Sequence, residues 1–434
     1  MTALVTVAIS NYRKITIAIV LCGLALQIAL VLRSWIGGDQ IHMLGLGWQF
    51  ARTGHLEPFS KMMSGAGANP GVLLQVLVGA PLALLPHFRS PLALIVLFDL
   101  VALALLWSLL RRALGERFAM IYIGLYWLSP WRLYHSSFLW EPQYLFLPAA
   151  VHLWSCWKLR EEARLIPSAF LAASIVLALQ LHNSFAILLF STIVLAVRGR
   201  IRLHAGGVAL GILFGSITLL PTIVAVIGGT LPAARESQGY FGWGLLHIYP
   251  VLKGLLYWPR LGSLDVGIPL AQTLYLESAA EHPVMSIVAR AMQVAAVATI
   301  IPAVLASWWY FRTLIRGRET PPPVATGKEI TFEWFREYAL ATLVALLVAA
   351  ALSPIVLQGW QVIIAMHAAL LPIVFWLDAR AAPDDRRLAW IGPAVAVIAI
   401  GMMMTIGTGN RIFRPGEIPE DLRKNHPELL EIIP

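Results

Sequence analysis

Trp35-Ile36-Gly37-Gly38-Asp39-Gln40 closes the first long apolar run of the chain, which extends from about Ile15 to Ile36. That run has the length needed to cross a hydrocarbon core, roughly 20 helical residues. Arg13 and Lys14 precede it, and basic residues beside a first span hold that end in the cytoplasm. The paired glycines then stop the helix. Asp39 follows, just past the membrane edge, and its carboxylate can accept the orphan amide hydrogens of a new helix reaching about Gly54. This one stretch therefore predicts a chain that enters the membrane at its start. It also places an acid where the chain first leaves on the outer side.

The rest of the sequence repeats the pattern. Of 434 residues, 59% are hydrophobic and only 13% charged, with a mean hydropathy of +0.74, whereas a soluble domain is about one quarter charged. Apolar runs of spanning length recur throughout, which excludes a large water-soluble helical protein. The net charge of +9 sits mostly in short loops between spans, where Lys and Arg set orientation and meet anionic headgroups. No aromatic-basic pattern for nucleic acid accompanies it, so no nucleic-acid partner is expected. Cys22 and Cys156 both fall in apolar spans and imply no disulfide framework. The first run lacks a small-residue cleavage site and reads as a retained span.

Counting spans with basic loops inside predicts an all-α polytopic membrane protein, a single transmembrane domain over residues 1–434 with about eleven helices. The N-terminus is then cytoplasmic and the C-terminus outside. Residues 37–90 form the first outer loop, holding a helix from Asp39 and a second, Gly71 to Pro86, that lies at the interface. Counting this second helix as a span would put Arg111, Arg112 and Arg117 outside, against the charge rule. Ser64 to Pro70 between them is expected to be flexible. Residues 228–283 make a second long outer loop and 409–434 an outer tail. No solenoid repeat or inverted transporter repeat is visible.

Polar residues concentrate on the outer side. The inner loops carry no phosphate-cradling GxxxxGK[ST] and no dinucleotide fingerprint, so an activated building block used outside must arrive on a lipid. Asp39 is the first candidate, as a general base; its plain alternative is a helix cap. Glu141, in Trp140-Glu141-Pro142, is the second candidate; alternatively it complements the first turn of the next helix. Arg132, Tyr134 and His135 share that loop, and Arg132 could grip a phosphate bidentately or serve as a snorkelling anchor. His182, at the tip of a hairpin, is either a packed residue or a substrate contact. In the second long loop Arg235, Tyr240, Lys253 and Arg260 mix cations with aromatics. That mixture suits a sugar face plus a phosphate as well as an interfacial aromatic belt. No His/Cys/Asp set has metal-ligand spacing, so no tightly bound structural metal is expected.

The arrangement resembles the GT-C superfamily of integral-membrane glycosyltransferases, in the branch of the protein mannosyltransferases and the lipid A aminoarabinose transferase. The resemblance covers roughly the first half of the chain. It rests on Asp39 after the first span, the interfacial helix after Asn69-Pro70-Gly71, and the inner turn Arg111 to Arg117. Leu128-Ser129-Pro130, Trp140-Glu141-Pro142 and Gln180-Leu181-His182 follow in order. The last two are similar to the "W-N-P" and "Q-x-H" stretches of bacterial members acting on envelope lipids and polysaccharides. The resemblance implies a GT-C-like bundle, a polyprenyl-phosphate-sugar donor, an outward-facing site in the cytoplasmic membrane and an inverting hexosyl or pentosyl transfer to an envelope lipid or glycan. It makes Asp39 the catalytic base and maps a second acid onto Glu141. The chain departs from relatives in three places. Gln40 stands where many have a second acid, Asn69 where the aminoarabinose enzyme has its phosphate-binding lysine, and no counterpart of the soluble C-terminal domain of oligosaccharyltransferases is present. Arg132, Arg235, Lys253 or Arg260 would have to take over the phosphate. Two rival readings use the same features: a lipid-linked-sugar transporter or flippase, and a polysaccharide polymerase or ligase. The first needs polar groups at mid-membrane depth, for which Asp99, His152, Arg290 and His367 are candidates without sequence clustering.

Overall fold

The structure, a computed structural model, describes residues 2–62, 68–230, 248–265, 283–315, 329–353, 357–380, 386–413, 416 and 418–433. The chain is an all-α polytopic membrane protein. Helix α1 spans Thr2–Arg33, and α2 spans Asp39–Thr53. A short antiparallel pair follows, β1 (Phe59–Met62) with β2 (Ala68–Pro70), then α3 (Leu73–Leu84). Next come α4 (Ser90–Leu114), α5 (Glu116–Trp127), α6 (Pro130–His135) and, after a 3-10 turn, α7 (Phe146–Lys158). Helices α8 (Leu165–Leu181) and α9 (Phe185–Val197) form a hairpin. Helix α10 (Ala205–Ser216) continues through a 3-10 turn into α11 (Leu220–Ile227). The remainder is α12 (Ile248–Leu261), α13 (Pro283–Ala298), α14 (Ile300–Ile315), α15 (Glu329–Ala351), α16 (Met366–Ala369), α17 (Leu371–Arg380), α18 (Arg386–Gly409) and α19 (Glu420–Asn425).

Six of the helical segments among the described residues are long and apolar enough to cross a membrane. Shorter helices occupy the other expected positions. Their outward faces are greasy: Ile17, Leu21 and Leu32 of α1 are each more than half exposed, and so are Leu213, Phe214 and Val224 on the α10–α11 segment. Surface of that kind is stable against lipid and not against water.

The loops sort into two ends, as alternating spans require. At one end Arg13 meets Glu116 at 2.7 Å and Arg117 meets Asp378 at 2.7 Å. Arg198 grips both oxygens of the buried Glu337, with Arg200 as a second partner. These residues come from the N-terminal segment, from three inner loops of the span count and from the first turns of α15. At the opposite end Trp35 N–H donates to the Ile412 carbonyl and Phe88 N–H to that of Ile432. Trp35 meets Phe88 edge-on, and Trp140 lies against Trp360. The tail therefore returns to the Asp39 end, with Leu422, Leu429 and Ile432 buried in the core.

Helix α3 is a short apolar helix of twelve residues. At its start Asn69 donates to the Leu181 carbonyl and Val72 N–H to the Thr218 carbonyl. Its end leads into Phe88, whose N–H donates to the Ile432 carbonyl. Helices α2 and α3 lie tightly together because Gly47 and Gly79 face each other; a Cβ at Gly47 would press on Val78. The Ser64–Pro70 stretch differs from expectation at its end. Ala68–Pro70 is a strand, held because extended backbone there satisfies its hydrogen bonds against Phe59–Met62, while residues 63–67 lie outside the described residues. One close helix pair carries a sequence signal, Gly207, Gly211 and Gly215, at the four-residue spacing that lets membrane helices approach. A Cβ at these positions of α10 would run into α8 at Leu165, Ala169 and Val176.

Candidate active site

The break that exposes Asp39 is built by backbone. Gly38 has φ of +48° and takes the N-cap position, so Asp39 is the first residue of α2 instead of its cap. The carbonyls of Gly37 and Gly38 receive the amides of Gln40 and Ile41. The Asp39 carboxylate is exposed, and the Trp140 indole N–H donates to its Oδ2 at 3.2 Å. An acid in a first turn is also favoured by the helix N-terminus. Gly54, with φ of +70°, ends the helix.

Trp140 belongs to an aromatic wall from α6 and the loop after it. His135 stacks on one side against Trp140 (6.2 Å between ring centres) and on the other against Trp131 (5.8 Å). Trp360 lies 5.2 Å from Trp140. Gly359 lets Trp131 and Tyr257 close in, since a Cβ there would meet the Trp131 ring at 2.5 Å. Trp131 in turn donates to the Arg260 carbonyl, and the Arg260 guanidinium lies 5.9 Å from its ring and 5.2 Å from Tyr257. Arg260 pairs with Asp265 at 2.5 Å. Lys253 lies about two turns earlier on α12, over Tyr249. Burial and the nearby Arg260 push its ammonium below the ordinary value. The wall therefore runs from a carboxylate at one edge to two cations at the other, in ring-to-ring steps of about 6 Å.

The candidates read from the sequence separate on this geometry. Asp39, Glu141, His135, Lys253 and Arg260 are on or beside the wall. Glu141 follows Trp140 directly and is 7% exposed, at the start of the 3-10 turn Glu141–Leu145. His135 is buried, and desolvation pushes its imidazole down to about 3, so it is neutral and serves as a flat spacer. Tyr134 is buried against Phe138 and Phe413, with its hydroxyl paired to Asn410, tying α6 to the start of the tail. Burial raises its pKa.

Arg132 is placed elsewhere. It is fully buried, 3.7 Å over the Trp127 ring, paired with Asp99 at 3.3 Å and bonded to Gln27 and the Trp127 carbonyl. It clamps α1, α4 and α6 together from within and does not reach the wall's open face. His182 closes its own turn, accepting from Ser184 N–H and meeting Ser184 Oγ at 2.9 Å. Its neighbour Gln180 donates to the Gly215 carbonyl, and its side chain fills the space over Gly71. Two of the quoted stretches, Asn69-Pro70-Gly71 and Gln180-Leu181-His182, thus touch each other. Arg235 and Tyr240 lie outside the described residues. Trp131, Gly359 and Trp360 carry no sequence signal of their own, because aromatic residues near a membrane edge are common and only their convergence marks them. Among the described residues no group of three or more His, Cys, Asp or Glu side chains could hold a metal ion.

No protein-family model matches the chain, and no curated protein matches it. Among solved structures, the chain is similar to the crystal structure of ArnT from Cupriavidus metallidurans bound to undecaprenyl phosphate. That likeness has a TM-score of 0.51 and 13% identity, over 93% of this chain and 77% of that one. A second similarity is to the oligosaccharyltransferase of Archaeoglobus fulgidus in complex with Zn and sulfate, with a TM-score of 0.46 and 13% identity, over 95% of this chain and 57% of that one. The likeness to ArnT is one of fold, and it makes this chain a polytopic membrane protein of the GT-C fold.

Proposed function

We propose that the protein is a membrane glycosyltransferase that takes a sugar from a polyprenyl-phosphate donor. The observation that carries the reading is the exposed Asp39 carboxylate, held by Trp140 at the edge of an aromatic wall that ends in Lys253 and Arg260. The GT-C fold supports it, since a neighbour of that fold binds undecaprenyl phosphate. In this reading the acceptor's O–H gives its proton to Asp39 as its oxygen attacks the anomeric carbon. The bond from that carbon to the phosphate oxygen breaks, inverting the centre, and polyprenyl phosphate leaves. Lys253 and Arg260, at the opposite edge of the wall, hold an outlying part of the bound substrates, Arg260 while paired with Asp265. Glu141 is the second acid beside the reacting groups. The basic end of the bundle is cytoplasmic, and the Asp39 end and the tail lie outside.

A transporter reading draws less support. Asp99 is committed to Arg132 and Gln27, His152 to Tyr338 and Thr192, and His367 to the Phe146 carbonyl. The experiment uses purified protein with a set of radiolabelled polyprenyl-phosphate sugars and an envelope extract as acceptor. Product that carries the label, at a rate lost in Asp39→Asn, is the expected result. Movement of the labelled lipid across vesicles with no new glycosidic bond would overturn the proposal.

A further inference from the structure

Helix α2 carries more than Asp39. Residues 39, 42, 46, 49 and 53 follow at steps of three and four, so they form one stripe along a helix face. At 1.5 Å per residue the stripe is about 21 Å long. Beyond Asp39 it forms the floor of a groove of about 550 Å³, which includes His42, Gln49 and Thr53 of α2. The facing wall comes from the tail, with His426 and Glu428. Gly45 gives the groove its width, because a Cβ there already stands 3.5 Å from the His426 ring. Trp48, only 8% exposed, lines the groove, and its buried indole N–H has no hydrogen-bond partner. A donor of that kind is costly unless something meets it.

The charges around the groove are already matched. Arg52 pairs with Glu431 at 2.9 Å, touching both carboxylate oxygens, and His426 pairs with Glu428 at 3.2 Å. An anionic ligand would have to break these contacts. A neutral polyhydroxylated chain would not. It would find the Gln49 amide on the α2 side and the His426 ring on the tail side, over a lining that includes Leu46 and Trp48, the mixture of apolar lining and few polar anchors that small-molecule sites use.

We infer that the groove between α2 and the tail holds an uncharged oligosaccharide segment of the acceptor, with its end directed along the stripe to Asp39. The direction rests on the transferase reading; the binding does not. It also gives the folded tail a purpose beyond closing the bundle end.

The test measures binding. Full-length protein in lipid nanodiscs is mixed with uncharged linear hexasaccharides of glucose, mannose and galactose, and saturation-transfer NMR reports contact. Wild type and Asp39→Asn are expected to bind at least one of them alike. Gly45→Leu should lose tenfold or more in affinity, because the side chain fills the groove while leucine is a better helix former than glycine. Gln49→Ala, an exposed change that leaves folding alone, should lose about threefold to tenfold, the worth of one hydrogen bond. Silence from all three hexasaccharides with wild type would overturn the inference. So would unchanged binding in both groove variants, or tighter binding of the same sugars when they carry a terminal phosphate. Binding in the absence of any sugar transfer would leave the groove standing and remove only the transferase reading.

Discussion

Replacing Trp140 by Phe tests the central contact with little collateral change. The substitution removes the N–H that meets Asp39 Oδ2 at 3.2 Å. It keeps a ring beside His135, Phe138 and Trp360, whose centres lie 6.2, 6.0 and 5.2 Å away. A hydrogen bond to a charged group is worth about 1.5–3 kcal/mol net, and a neutral one about 1. The Asp39 carboxylate is exposed, so water competes, and about 1–2 kcal/mol is the appropriate range. At 1.4 kcal/mol per tenfold, the transfer rate should fall about 5- to 30-fold. Loss of the base itself in Asp39→Asn should cost about 10²- to 10⁴-fold. The double variant should be no slower than Asp39→Asn alone, because the indole acts only through the carboxylate. The assay is initial-rate transfer from a polyprenyl-phosphate sugar by detergent-purified protein, with thermal unfolding measured alongside. A Trp140→Phe protein that transfers at the wild-type rate would refute the reasoning, as would a slowdown matched by an equal loss of stability.

Other consequences follow from the same structure. Arg132→Met strands the Asp99 carboxylate in the core and should destabilise the protein by about 3–5 kcal/mol; adding Asp99→Asn should restore part of this, read as unfolding midpoints. Gly71 has φ of +88° and sits under the Gln180 side chain. Gly71→Ala should therefore lower stability by about 1–3 kcal/mol in a thermal melt. Arg260→Gln should raise KM several-fold more than it lowers kcat, because a cation at the far edge of the wall, away from Asp39, is lost. His135 is held neutral, its value pushed from 6.5 down to about 3. The unfolded chain thus binds the extra proton first, so this contribution to stability is full above pH 6.5 and declines as pH falls toward 3. In that window His135→Phe should flatten the pH dependence of unfolding by up to about 1.4 kcal/mol per pH unit, with no change above it.

Much of the architecture was legible in the residues. Apolar runs bounded by Arg and Lys place the spans, because a buried helix in lipid must satisfy its own backbone and lose its charges. The same rule gives the sorting of loops: Arg117, Arg198 and Arg200, read as one side from charge alone, meet acids at one end. Gly37-Gly38-Asp39 and Gly54 marked the start and stop of α2 by local chemistry, missing only that Gly38 takes the cap. The short strand at Ala68–Pro70 was hidden because its pairing is a tertiary property of a polar, glycine-rich stretch.

Which polar side chain goes where was not legible. Arg132 and Arg260 look equivalent in sequence, each a cation among aromatics at a membrane edge. Burial separates them, since one is sealed against Asp99 and Trp127 and the other remains part of a surface beside Lys253. Trp140 and Asp39 are 101 positions apart, and nothing local announces that one would hold the other. Periodicity, charge and turn chemistry are local and are written in neighbouring residues. The site is a set of long-range contacts, fixed only when the helices pack and their ends converge.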